Sequence, residues 1–333
     1  MSFETLLFQS IDRLFEKVLA PPAVESFVRS GSYRLRLCFA HESLADEFLP
    51  SFLCDEAGSA DLQIGFLTSA EADLSHLIPH PQTEYRATAT NASFAAWQPG
   101  ELPVLYLLDR ESSRALIWFA AGTAPDWLAS RPGLPIMYAF SVDTPWIPLH
   151  AAGVGRNGRT LLLVGEGRIG KTTAALACAR AGWDYAGDDY VYANTTNAKV
   201  EPLYCSARLR ADMGSAFADW VTAPAKISTS DGEPGYELRL GRELGSDQIR
   251  GGSLAAILLP RRRGAMLPEF SAARRFDAIA ALYTSMTLVQ LGWREKTIKK
   301  VAAVIGLAPV AFVETGRCPA AIPEAFETFL DSL

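Results

Sequence analysis

The sequence predicts an α/β protein: a phosphate-binding-loop domain preceded by a smaller N-terminal α/β domain. Three observations predict it. Residues Gly165 to Thr172 read GEGRIGKT, a full match to the pattern G-x-x-x-x-G-K-[ST]. The apolar run Leu161-Leu162-Leu163-Val164 precedes that loop and the helix-forming TTAALACARAG follows it, the strand–loop–helix order that gives the pattern its mechanism. From there to the C-terminus, strand-like and helix-like segments alternate, which favours a three-layer α/β sheet.

The loop is read residue by residue. In such a loop the backbone N–H groups of Gly165, Glu166, Gly167, Arg168, Ile169 and Gly170 point inward around a phosphate, and the helix start adds its partial positive charge. Lys171 reaches the β- and γ-phosphates, Thr172 is placed to ligate Mg²⁺, and Thr173 follows on the first helical turn. The implied ligands are ATP and Mg²⁺.

Size and composition bound the rest. A chain of 333 residues with 49% apolar content can fill two cores. The expected boundary lies near residue 130, giving an N-terminal domain over 1–130 and the phosphate-binding-loop domain over 131–333. A net charge of −6 argues against a dedicated nucleic-acid partner, although Arg261-Arg262-Arg263 and Arg274-Arg275 are local exceptions. Five scattered cysteines, Cys38, Cys54, Cys178, Cys205 and Cys318, lack metal-type spacing and read as reduced thiols. No apolar stretch reaches membrane-spanning length, and MSFETLLFQS carries an acidic residue where an export signal needs basic ones. The expectation is a cytoplasmic protein with no membrane partner.

Along the chain, Phe3, Leu6, Leu7, Ile11, Leu14, Phe15 and Val18 recur at helical spacing and predict a docked amphipathic helix that stops at Pro21-Pro22. Strands are expected over 33–39 and 60–67, with a helix over 42–52 between them. A turn follows near Pro79 to Pro81, then strands over 85–97, 103–108 and 114–120, and a buried helix over 134–142. Next come a strand near 147–154, a turn at Asn157-Gly158, the strand over 160–164 and the loop helix to about Ala181. Later elements are a strand over 255–259, helices over 277–291 and 295–305, a strand over 310–314 and a closing helix over 323–330.

Chemistry needs partners beside the phosphates. Asp188 and Asp189 stand 17 and 18 residues beyond Lys171, in WDYAGDDYVYA. A helix of about eleven residues runs roughly 16 Å away from the loop. The short return Trp183 to Ala186 is then expected parallel and adjacent to the loop strand, delivering both carboxylates to the edge that carries the phosphates. One carboxylate can hold Mg²⁺ and the other can accept a proton from an attacking hydroxyl. A solvated Asp-Asp turn is the plainer alternative. His150, in PLHAAGV, reads as a core histidine or a member of the site. Arg261 to Arg263, Arg208 and Arg210, and more weakly Lys226, could serve transferring phosphate or simply be solvated; Trp183, Tyr185, Tyr190 and Tyr192 read as sheet packing.

The run from His150 to Val191 resembles the HPr kinase/phosphorylase superfamily. LHAAGV, GEGRIGKTT and ARAGWDYAGDDYVYA follow in the order and close to the spacing of that family. The resemblance is faint over the first 130 residues and compatible towards the end, at PVAFVETG. It implies an HPr-kinase-like catalytic domain in which Lys171 and Thr172 bind phosphate and Mg²⁺, Asp188 and Asp189 supply metal binding and the general base, and His150 lies beside them. Asp189 is favoured as base and Asp188 as the metal-side residue, with their order open. Relatives phosphorylate a serine on a protein, and some form hexamers, so a homo-oligomer fits the resemblance.

Departures narrow the substrate. EPLYCSARLRADM stands where the bifunctional enzymes carry a glutamate-arginine-glycine signature, Thr172 replaces the common serine, and Arg168-Ile169 replace small residues. These argue against HPr as substrate and against phosphorylase activity. Shorter relatives phosphorylate precursor peptides of natural-product pathways. The leading expectation is therefore transfer from ATP to a serine or threonine hydroxyl of a peptide or small protein. A small-metabolite kinase and a nucleotide-gated binding module are the competing readings.

Overall fold

Runs of buried residues in the first part of the chain can only be strands covered on both faces. The computed structural model describes residues 11–16, 19–78, 85–221, 226–227, 234–285 and 293–333. Its first strands are β1 (Val24–Ser30), β2 (Tyr33–Phe39), β3 (Leu53–Cys54), β4 (Leu62–Thr68), β5 (Arg86–Ala89), β6 (Ser93–Gln98), β7 (Val104–Asp109) and β8 (Arg114–Phe119). Among the described residues they form one sheet in the order β3-β1-β2-β4-β8-β7-β6-β5. The pairs β2–β4 and β4–β8 are parallel, and the others are antiparallel.

Alternation along these strands divides the core into two layers. Cys38, Leu67, Leu116 and Trp118 pack with Ile11, Leu14 and Phe15 on one face. Their sequence neighbours Phe39, Phe66 and Phe119 face the other way, where helix α1 (Glu42–Phe48) adds Phe48. Phe48 stacks on Phe66 at 5.2 Å and on Phe119 at 5.6 Å, while Phe39 stacks on Phe66 at 4.7 Å. Rings at these separations add to plain area burial. Helix α2 (Leu134–Ser141) packs against β6 and β7. Of the expected amphipathic N-terminal helix, 11–16 are helical and the rest lies outside the described residues, as does the turn near Pro79 to Pro81.

Tyr106 in β7 carries a fully buried hydroxyl with no hydrogen-bond partner among the described residues. Such a group keeps its desolvation cost and gains nothing in return. Tyr106→Phe is expected to stabilise the protein by about 1 kcal/mol, read as a higher thermal midpoint; a lower midpoint would mean that the hydroxyl is satisfied.

The chain divides into two units, Met1–Asp143 with Thr287–Arg294, and Thr144–Met286 with Glu295–Leu333. The division thus falls after Asp143, where the sequence suggested residue 130, because α2 packs on the first sheet. Trp293 belongs to the first unit, stacked on Phe94 with the Arg110 guanidinium over its ring.

The second unit contains β9 (Trp146–Leu149), β10 (Ala151–Arg156), β11 (Arg159–Val164), helix α3 (Lys171–Arg180), β12 (Asp184–Gly187), β13 (Val191–Asn194) and β14 (Lys199–Pro202). It continues with β15 (Ser206–Arg210), β16 (Lys226–Ile227), β17 (Pro234–Arg239), α4 (Leu240–Gln248), β18 (Gly252–Arg261) and β19 (Glu269–Ala272). It closes with α5 (Arg275–Ser285), α6 (Arg294–Gly306), β20 (Val310–Glu314) and α7 (Ile322–Asp331). The main sheet is mixed, in the order β12-β10-β11-β18-β14-β13-β9, with β20 beside β18 and β19 beside β20. β15, β17 and β16 form a separate small sheet.

One expectation needs correction. β12 is not adjacent to the loop strand β11, because β10 lies between them and is antiparallel to both. The reason is local: the two-residue Asn157-Gly158 turn folds β10 back on one side of β11, and β18 takes the other side. Two antiparallel steps restore the direction, so β12 still points the same way as β11. The carboxylates therefore arrive at the expected edge by a route the sequence did not suggest.

Candidate active site

Two interruptions in one antiparallel ladder build the site. β10 pairs with β12 and β9 pairs with β13, so the ladder runs on past both junctions. Between β9 and β10 stands one residue, His150; between β12 and β13 stand three, Asp188, Asp189 and Tyr190. Counted along the ladder, His150 to Ala152 face Asp188 to Tyr190, so the register is kept from Gly153 opposite Gly187 to Leu149 opposite Val191 while the pairing lapses. The bulge lies one step earlier, at Ala186, where the register shifts and the strand bends. Asp189 takes φ of 64°, a left-handed conformation that aspartate tolerates better than most residues. His150 thus lies at the break itself, not within a continuous strand over 147–154.

The glycine loop Gly165 to Gly170 meets this break from the start of α3. The Lys171 ammonium is buried and donates to the carbonyls of Gly165 and Glu166 at 2.8 and 2.9 Å. Burial lowers its pKa, and the charges of Asp189, Asp188 and Glu166 work against that fall. Thr172 Oγ1 lies 3.0 and 2.9 Å from the two oxygens of Asp188. Burial pushes the Asp188 carboxyl up to about 7 and the charge of Asp189 adds to the push; the Thr172 hydroxyl, Lys171 and the Arg208 amide oppose it. The Arg208 N–H approaches Asp188 Oδ2 at 3.4 Å, because Tyr185 donates its hydroxyl to the Ser206 carbonyl and so ties β15 to β12.

The two acids therefore occupy different surroundings. Asp188 is 3% exposed and turned towards Thr172. Asp189 is 31% exposed at its side chain and lines a cavity of about 260 Å³ together with Gly167, Arg168, Gly170, Lys171, Thr172 and Thr173. His150 Nε2 stands 3.5 Å from Asp189 Oδ1, and its ring lies 5.3 Å from that of Tyr190. The Nε2–H of His150 can donate to that carboxylate, and the buried Nδ1 has no hydrogen-bond partner among the described residues.

Gly170 occupies φ of 110°, and a Cβ there would stand 3.3 Å from Thr315 Oγ1. Gly170→Ala is expected to cost roughly 1–2 kcal/mol from the backbone alone, lowering the melting midpoint by about 3–6 °C and weakening nucleotide binding. Gly167, with open space around it, is the control: Gly167→Ala should leave the midpoint unchanged. Equal losses in the two variants would contradict this reading of the loop.

The basic residues sort themselves. Arg208 and Arg210, two apart on β15, both line the cavity, and Arg210 is paired with Asp212 at 2.7 Å. Of Arg261 to Arg263, Arg262 lines the cavity while the Arg261 guanidinium lies over the Phe312 ring. Arg274 pairs with Asp277. The Lys226 side chain lies outside the described residues. Trp183, Tyr185, Tyr190 and Tyr192 are all buried, as expected of sheet packing. Glu314 and Thr315 border these loops and carried no signal in the sequence beyond closing a strand. Among the described residues no disulfide links the cysteines, and no helix is long and apolar enough to cross a membrane.

No family model and no curated protein matches the chain. Among solved structures it is similar to the HPr(Ser) kinase/phosphatase from Coxiella burnetii, with 13% identity and a TM-score of 0.26, over 56% of this chain and 95% of that one.

Proposed function

We propose that the protein is an ATP- and Mg²⁺-dependent phosphotransferase acting on a serine or threonine hydroxyl of a peptide or small protein. The observation that carries this reading is the convergence of Thr172 with Asp188 at 2.9 and 3.0 Å, while Asp189 lines the cavity of the phosphate loop. Such a loop holds a nucleotide tail through backbone N–H groups, the helix start and the lysine. Asp189 accepts the proton of the acceptor hydroxyl, whose oxygen forms a bond to the γ-phosphorus as the bond from that phosphorus to the β–γ bridging oxygen breaks. The products are phosphorylated acceptor and ADP, with the proton on Asp189. His150 holds Asp189 in place from the facing strand.

Mg²⁺ takes oxygen ligands and is usually held by one or two protein groups plus phosphate oxygens. The Thr172 hydroxyl and the Asp188 carboxylate are that donor set, and the strain of a buried carboxylate beside Asp189 is what a divalent cation would relieve. Bound there, the ion would neutralise charge on the β- and γ-phosphate oxygens.

The cavity mouth carries Arg210 and Arg262, both exposed, so a chain larger than a metabolite can lie across it. Incubation with γ-labelled ATP, Mg²⁺ and serine- or threonine-containing peptides, including those encoded beside the gene, is expected to label a hydroxyl side chain. Labelling of a small metabolite alone would replace the acceptor, and unchanged labelling by a Lys171→Ala/Asp189→Asn variant would refute the site.

A further inference from the structure

The segment Glu314-Thr315-Gly316, where β20 ends, touches two loops at once. Thr315 is buried with its Oγ1 beside Gly170 of the phosphate loop. Glu314 Oε1 accepts the N–H of Ala265 at 2.9 Å and that of Arg263, in the loop that follows β18. Desolvation works against ionising that carboxyl, yet the amides of Ala265, Arg263 and Gly264 together outweigh it and hold its pKa below the ordinary range. Downstream, the Arg317 N–H donates to the Met266 carbonyl at 3.2 Å. The loop over 262–266 is thus stapled to the strand end that abuts Gly170.

The topology says which side that loop reaches from. β18 is parallel to β11 and lies on the side of it away from β10 and β12. Parallel neighbours end at one sheet edge. The phosphate loop therefore sits between the acid pair on one flank and the β18 loop on the other. Arg262 brings a guanidinium from that second flank to the cavity that Lys171, Thr172 and Asp189 also line.

Resting on the phosphotransferase reading, we infer that Arg262 binds the γ-phosphate of the donor nucleotide from the flank opposite Asp189, and that Glu314 is its positioning residue. In phosphoryl transfer, charge spreads over the three equatorial oxygens, and an arginine supplied in cis stabilises them without changing which bonds form or break. A loop residue could do this only if its backbone were fixed, and the Arg263 and Ala265 amides on one carboxylate fix it.

The test is equilibrium binding of Mg²⁺–ATPγS and of Mg²⁺–ADP to the full chain, for Arg262→Ala, Arg262→Lys, Glu314→Ala, Glu314→Gln and the Arg262→Ala/Glu314→Ala pair. Arg262→Ala is expected to weaken ATPγS binding by about tenfold or more and to leave ADP binding unchanged. Glu314→Ala should show the same selectivity with a smaller loss, Glu314→Gln a smaller one still because an acceptor oxygen remains. The double variant should match Arg262→Ala. If ADP and ATPγS weaken equally, or if the Glu314 loss adds in full to that of Arg262→Ala, the inference is overturned. It is also overturned if Arg262→Ala alters only the KM of an acceptor. A chain that shows the selective pattern yet labels no acceptor would leave this inference standing and remove the transfer reading.

Discussion

Asp189→Asn is expected to lower turnover by about 10²–10⁴-fold while nucleotide affinity stays nearly unchanged. The carboxylate lines the cavity, is about a third exposed and stands 3.5 Å from His150, so it can reach an incoming hydroxyl without being needed to hold the loop together. Asparagine keeps the size and the tolerance for a left-handed backbone, so the fold should not move. Asp188→Asn is the contrast. That residue is buried against Thr172 and the Arg208 amide, and its loss should raise the Mg²⁺ requirement as well as slow transfer. Steady-state kinetics at varied Mg²⁺, with nucleotide affinity measured separately, distinguish the two. If Asp189→Asn lost nucleotide affinity and Asp188→Asn kept it, the two roles would have to be exchanged.

Lys171→Ala is expected to lower turnover by about 10³-fold and to leave the nucleotide-free protein as stable as the parent or slightly more so. The ammonium is 5% exposed, bonded to two carbonyls of its own loop, and burial already lowers its pKa. Its removal relieves a desolvated charge and exposes only two carbonyls at a cavity wall. The measurement pairs turnover with thermal unfolding in the absence of nucleotide. A large fall in the unfolding midpoint would make Lys171 a structural residue, and turnover within a few-fold of the parent would end the proposed role.

Much of the site could be read from local spacing. The pattern from Gly165 to Thr172 is contiguous and lies within a single strand–turn–helix unit, so its residues needed no tertiary information. Helix length brings the acid pair back towards the loop, but the parallel neighbour that the crossover was expected to supply is β18, not β12. What spacing could not supply was the intervening strand β10, because strand order depends on which edge of β11 the Asn157-Gly158 hairpin takes. Which of these arginines reaches the cavity was equally hidden, since Arg261, Arg262 and Arg263 differ only in where a loop turns. Glu314 was invisible for the same reason: its partners are backbone amides, which leave no mark in the order of side chains. In the first unit, strands β2, β4, β7 and β8 followed from their apolar runs. The polar turn at Thr90, which splits β5 from β6, was missed because the flanking residues read as one continuous strand.

The breach opposite His150 has a consequence for how this chain can vary. Because pairing resumes at Val191 with Leu149, the stretch from Gly187 to Val191 has a fixed length even where its residues can change. Removing one residue would slide the last strand by a single step, exchange Val191 and Ala193 with Tyr192 and Asn194 across the sheet, and force mismatched volumes into places that are all shut off from solvent. Substitution there should leave the sheet standing; deletion should dismantle it.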